Sequence, residues 1–296
     1  MLFPMSLFGK LEDFWSDKEK KRKSPENVPN TDKNIELPEI TNDGLLDDLH
    51  VKPLIEGKVG NKTYIFGKFS EQEIYELMNW SGVFEKIKLK GYDEFNLELQ
   101  YLSEMDQRIF VKSKGEVLIH IRLKLSYFRF RFSPGAPSRK LLYIDWLMTR
   151  DPKRKDQLRK PLFPGQDAPG LGIINEVADF IFNLALGLGV KGAFNIPEYF
   201  HDAVLFHRQF RFYDPQREAF FRALLRDLRR YGVKEISDAL IQNRIIDQDG
   251  QIVNWIPGEM ISLIDPEFSD FIWNKDYFMK IVRFLKRFHF RLVEKQ

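Results

Sequence analysis

The chain has 296 residues, 43% of them apolar, and no cysteine; 46 basic against 43 acidic residues leave a net charge of +3. That length admits one large domain with appendages or two modest ones, and the near balance of charge argues against a dedicated nucleic-acid binder. Without cysteine there is no disulfide, no thiolate nucleophile and no thiolate-ligated metal, which fits a reducing, cytoplasmic setting.

Of the five histidines only His201 and His207 are close, and a spacing of six does not put two ligands on one helical face, so no metal is expected. No stretch reaches the roughly 20 apolar residues of a membrane-spanning helix. The opening MLFPMSLFGKLEDFW lacks the basic leader and cleavage site of a secretory signal and reads as a short amphipathic segment suited to dock on the body. The stretch that follows, polar and rich in Pro and Asn with the charge block DKEKKRK, buries too little apolar area to offset its ordering entropy. Residues 1–57 are therefore expected to be disordered or loosely docked.

Folded structure is expected from Val59. KTYIFGKF reads as a strand, and Ser70 with Glu73 three residues on is a capping box opening a helix with Ile74, Leu77 and Met78 on one face. FEKIKLK extends it or forms a short second helix, and FNLELQYLS alternates as a strand. QRIFVKS turns at Lys114-Gly115 into EVLIHIRLKLSYFRFRF, where Val117, Ile119, Ile121, Leu123 and Leu125 share a face against Leu118, His120, Arg122 and Lys124. Such period-2 alternation predicts a half-buried antiparallel hairpin.

From Leu141 the order is strand (LLYIDWLMTRD), long loop, glycine turn (PGQDAPGLG), helix (173–188), strand (GAFNIPE), short helix, strand (FRFYD). The loop carries Lys153, Arg154, Lys155, Arg159 and Lys160, five cations suited to a multiply charged ligand. A Gly-x-Gly that opens a helix offers free backbone N–H groups where a phosphate can sit. Beyond Pro215 come an Arg-rich amphipathic helix (216–231), a second helix (EISDALIQNRII), an extended piece (QIVNWI) and a basic, aromatic helical tail (DYFMKIVRFLKRFHFRLVEK).

The element order over 60–213 resembles that of the GNAT-type N-acyltransferases. PGQDAPGLGI is similar to that family's coenzyme A pyrophosphate turn, with Gln166, Gly170 and Gly172 in the matching places, although three residues rather than two separate Gln166 from Gly170. VKGAFNIPEYFHDAVLFHRQFRF resembles the family's second half: Ala203 falls on a small position, His207 where the family often has a Tyr acting as acid toward the leaving thiolate, Arg211 replaces a Gly and Phe212 matches a Phe.

The resemblance implies an α+β fold with a mixed, mostly antiparallel sheet whose central strands splay, flanked by helices, in a domain over 58–214, with 215–296 a helical extension packed on it. It implies acyl transfer from acetyl-CoA or another acyl-CoA to a small-molecule or protein amine, without a metal. The amides of Gly170, Leu171, Gly172 and Ile173 would hold the pyrophosphate, and the backbone of Leu147 and Met148 would pair with the pantetheine arm. An attacking amine must be neutral, so a general base is needed, for which Asp145 and Glu198 are the candidates; alternation puts Asp145 on the face of Leu147, opposite Trp146. The alternative is a catalytically inactive GNAT-like scaffold that uses its Arg-rich C-terminal region to bind a protein partner or an anionic surface. A third reading, nucleic-acid binding through the arginines and lysines of 222–291, conflicts with the near-neutral total charge.

Overall fold

The computed structural model describes residues 58–59, 62–103, 105–157 and 161–293; the segment expected to be a linker, 1–57, lies outside them. All the described residues fall in one compact unit. The expected strand at 62–69 is instead a tight hairpin. Strands β1 (Lys58–Val59), β2 (Lys62–Ile65) and β3 (Phe69–Ser70) pair antiparallel, and the chain reverses where Phe66 and Gly67 both take positive φ. Helix α1 (Glu71–Trp80) starts on the Ser70–Glu73 capping box and buries Ile74, Leu77 and Met78; α2 (Val83–Leu89) follows Gly82.

Four strands then form a meander: β4 (Asn96–Ser103), β5 (Asp106–Ser113), β6 (Glu116–Phe128) and β7 (Arg139–Thr149). On β6, Ile119, Ile121 and Leu123 are at most 1% exposed, as the alternation requires. On the opposite face His120 stacks on Phe110 at 4.3 Å, and Arg122 and Lys124 face the carboxylates of Asp106 and Asp145.

The sheet continues through β8 (Gly192–Asn195), β11 (Met260–Leu263) and β9 (Arg211–Phe212), giving seven strands in the order β4-β5-β6-β7-β8-β11-β9. Only the β7–β8 pair is parallel. Helix α3 (Ile174–Leu188) crosses from β7 to β8 and ends at Gly189, whose φ of 71° suits a residue without a side chain. Helix α4 (Phe200–Phe206) links β8 to β9.

The region read as a helical extension inserts β11 between β8 and the edge strand β9, so a boundary at 214/215 does not separate two bodies. The four-residue MISL is too short to show a period of its own. Between β9 and β11 the chain makes α5 (Pro215–Leu228), α6 (Gly232–Ile241) and β10 (Ile245–Asp247); after β11 come α7 (Pro266–Ile272) and α8 (Lys275–Leu285). The tail is not one helix: α8 stops at Leu285, and β12 (Phe290–Leu292) pairs with β10. Phe128, Phe130, Leu141, Phe194, Tyr213 and Ile261 build an aromatic core under α7.

Candidate active site

The β6–β7 register shifts between Arg122↔Trp146 and Leu123↔Ile144, leaving Asp145 as an extra residue, a β-bulge. Directly opposed residues share a face of a sheet. Leu147, opposite Ile121, therefore lies on the apolar face, and Trp146, opposite Arg122, on the other. Asp145 meets Arg122 at 3.0 Å and Lys124 at 3.1 Å, so it too lies on the face of Trp146 and not, as simple alternation gave, on that of Leu147.

At the same bulge β7 loses β8. The two strands pair over Leu142↔Ala193, Tyr143↔Phe194 and Ile144↔Asn195 only, while β7 runs on to Thr149. The half-buried Leu147 and Met148 pair with Ile121 and His120 on one side, and on the other β8 has already ended. Asn195, 3% exposed at the parting point, has neither its amide oxygen nor its amide nitrogen bonded among the described residues. Buried amides are seldom left so.

The glycine turn returns to the end of β7. The Asp151 N–H donates to the Pro169 carbonyl at 2.7 Å, Arg150 pairs with Asp167 at 2.9 Å, and a methyl on Gly170 would lie 3.3 Å from Thr149 Oγ1. Leu171 and Ile173, each 1% exposed, anchor the turn from below, and Gly170 and Gly172 face outward. Gly172 has a φ of 72°, with open space where a side chain would stand. The N–H groups of residues 170–173 have no hydrogen-bond acceptor among the described residues, and no side chain caps α3. A helix N-terminus of this kind carries about half a positive charge and favours an anion. Glu176 in the first turn opposes that field, with Lys86 3.7 Å away as its counter-charge. Gln166 does not point to a ligand: its side-chain oxygen accepts from the Phe163 N–H at 3.3 Å, closing a local turn.

The segment before the turn reaches across to α4. The Phe163 ring stacks on His201 at 4.6 Å, and a methyl on Gly165 would meet the Tyr199 ring at 2.9 Å. His201, 3% exposed, lies 2.9 Å from Ser237 Oγ through Nδ1 and stacks on Tyr199. Burial, helped by nearby Lys234, lowers its pKa to about 4, so the ring is neutral. Burial raises the Asp202 carboxyl to about 6, with Glu198 adding to the effect. Burial and the Glu198 carboxylate also raise the Tyr199 hydroxyl, which stays protonated.

Glu198 is exposed and lines a cleft of about 280 Å3 with Tyr199, Ser237, Asn243, Asn254 and Trp255. It does not cap α4; the Tyr199 N–H is held by Asp202 instead. His207 stands at the other end of α4, its Nε2 2.8 Å from Glu218 Oε1. Glu218 is fully buried and also accepts from Arg222 Nε at 2.6 Å and the Phe212 N–H at 3.1 Å. Burial pushes the Glu218 carboxyl up, but His207 and Arg222 outweigh it and hold it below the usual carboxylate range.

The structure thus brings the Gly170–Ile173 turn to the end of β7, the strand that carries Leu147 and Met148, while Glu198 lies on the wall of the cleft beside Trp255. Asp145 is committed to an ion pair with Arg122 and Lys124, and His207 to a hydrogen bond with Glu218. Of the loop cations, Lys153 bonds the Gly91 carbonyl and lies over the Tyr92 ring, on the wall of a separate cleft of about 300 Å3. Arg159 and Lys160 lie outside the described residues. Sequence reading missed Asn195, Tyr199 and Trp255; only the placement of Asn195 inside a buried strand carried a signal. Among the described residues no group of three His, Cys, Asp or Glu could hold a metal. No family model matches the chain, and no curated protein matches it.

Proposed function

We propose that the protein is an acyl-CoA-dependent N-acyltransferase with a GNAT-like arrangement of its sheet. The observation that carries this reading is the parting of β7 from β8 at the Asp145 bulge, beside a turn whose four successive N–H groups have no acceptor among the described residues. The diphosphate of coenzyme A, from acetyl-CoA or a longer acyl-CoA, lies on the amides of 170–173. The pantetheine arm runs along the freed edge of Leu147 and Met148 toward Asn195, whose side-chain amide supplies a donor and an acceptor for its amides.

The acceptor amine, on a small molecule or a protein, enters from the cleft of Glu198. Glu198 takes a proton from the ammonium group, and the neutral nitrogen attacks the thioester carbonyl. The C–S bond of the tetrahedral intermediate breaks, the thiolate takes a proton from Tyr199, the protonated hydroxyl beside Glu198, and the extra proton on the attacking nitrogen passes to the Tyr199 phenolate as the amide forms. Asp145, tied to two cations, and His207, tied to Glu218, have no part in these steps.

A ligand between the strands displaces Phe163 and Gly165 from Tyr199 and His201, because that segment bridges the opening. This contact favours a second reading, an inactive GNAT-like scaffold that binds a partner protein. Calorimetry with acetyl-CoA, palmitoyl-CoA and free coenzyme A separates the two. The transferase reading expects binding that weakens about tenfold or more in Gly170→Glu, which sets a carboxylate on the turn. Unchanged affinity in that variant removes the phosphate turn, and no thermal stabilisation by millimolar coenzyme A favours the scaffold.

A further inference from the structure

Helix α8 buries Tyr277 and Ile281 beside Ala219 of α5, so that one side of it belongs to the core. Its other side is neither buried nor simply polar. Phe278, Met279 and Val282 are 38, 53 and 54% exposed. Residues four apart on a helix are surface neighbours, and here Lys275 precedes Met279, Phe278 precedes Val282, and Val282 precedes Lys286 at that spacing. The three apolar side chains therefore share a solvent-facing arc with two lysines, and Arg283 and Arg287 follow on its border.

Residues 275–291 hold six basic side chains and one acidic, a net +5 in a chain whose total is +3. The single acid, Asp276, is taken by Lys280 at 2.7 Å. Arg211 adds its guanidinium over the Phe278 ring at 5.5 Å. Exposed apolar residues interleaved with cations suit a surface that is anionic at its skin and apolar just beneath. A nucleic acid has the charge without the apolar layer. Helices of this composition lie in the plane of a bilayer, with aromatic and aliphatic side chains among the acyl chains and lysines and arginines at the headgroups.

We infer that α8 docks the protein on an anionic lipid surface, with Phe278, Met279 and Val282 inserted and Lys275, Arg283, Lys286 and Arg287 at the phosphates. The docking is peripheral, since no helix among the described residues is long and apolar enough to cross a membrane. It stands independently of the transferase reading.

The test is flotation of the full chain with phosphatidylcholine vesicles, with and without roughly 30 mol% phosphatidylglycerol, at low and high salt. Two double variants are compared: Phe278→Ser with Val282→Ser, and Lys286→Glu with Arg287→Glu. All four positions are exposed, and thermal melts check that the folds are kept. The expected result is binding to the anionic vesicles only, reduced at least about tenfold in each variant and weakened by salt. No binding to anionic vesicles overturns the inference. So does binding that the charge variant abolishes and the apolar variant leaves intact, which would mark a plain polyanion surface.

Discussion

The two ends of the central sheet are built on different plans. Strands β4 to β7 follow one another in the chain, joined by hairpins, and their charged side chains sit on an outer face in a shared network of Asp106, Arg122, Lys124 and Asp145. Strands β8, β11 and β9 come from three distant segments, and their polar groups are buried: Glu218 under β9, Asn195 at the tip of β8 and Ser262 on β11. The first end is a local structure whose charged groups pair on a partly exposed face; the second is non-local, with Glu218 buried among three partners and Asn195 buried with none among the described residues. The site proposed above lies on the line between them, where local pairing stops.

Matched carboxylate substitutions sharpen that contrast. Glu218→Ala leaves His207, Arg222 and the Phe212 N–H without their shared acceptor, and an expected loss of about 3 to 5 kcal/mol would appear in urea denaturation. Because the folded Glu218 carboxyl lies below its ordinary 4.5, its contribution is present above that pH and is lost as the pH falls through the folded value, a feature absent from the variant. Asp145→Asn removes a half-buried carboxylate from the other network, and the expected cost is about 1 kcal/mol or less. Comparable losses in the two variants would erase the distinction between the two ends.

Between those extremes lies a dependence on acid. Burial first, then Arg108 and Arg122, lower His120 to about 4, well below the ordinary 6.5. As the pH falls from about 6.5 to 4 the unfolded chain takes up a proton that the folded ring refuses, so stability declines across that window. His201 acts in the same direction, but Asp202, 3.4 Å away and raised to about 6, gains stability over the same range and offsets it. Urea midpoints at pH 7, 5.5 and 4.5 are thus expected to fall less steeply in His120→Gln than in the wild type. An unaltered slope would show that His120 is accessible to protons in the folded state.

The same division explains what could be read in the amino-acid order. The hairpin of β5 and β6, the capping box at Ser70 and the glycine stop of α3 rest on neighbours in the chain, and the structure has them where local chemistry puts them. The bulge at Asp145 is invisible to alternation because it breaks the period that alternation assumes. Strand β11 offers three apolar residues around Ser262, no more than a loop often has, and its place in the sheet is decided by β8 and β9 on either side. Glu218 sits in a helix dense in Arg and Phe, where a surface ion pair is the ordinary expectation; only the folding of β9 and His207 over it makes it a buried hub. For the site, the Gly170–Ile173 turn was legible as a helix entrance, whereas Asn195, Tyr199 and Trp255 depend on which strands part.

The position of β11 has a consequence for biosynthesis. Residues 260–263 fill the gap between strands that leave the ribosome some fifty residues or more earlier, so the seam of the sheet closes only after Leu263 has emerged. Until then β8 presents a bare row of backbone groups flanked by Ala193 and Phe194, a template for a neighbouring nascent copy. Premature stops or proteolytic cuts shortly before Met260 should therefore yield sticky, chaperone-dependent fragments rather than a smaller working domain.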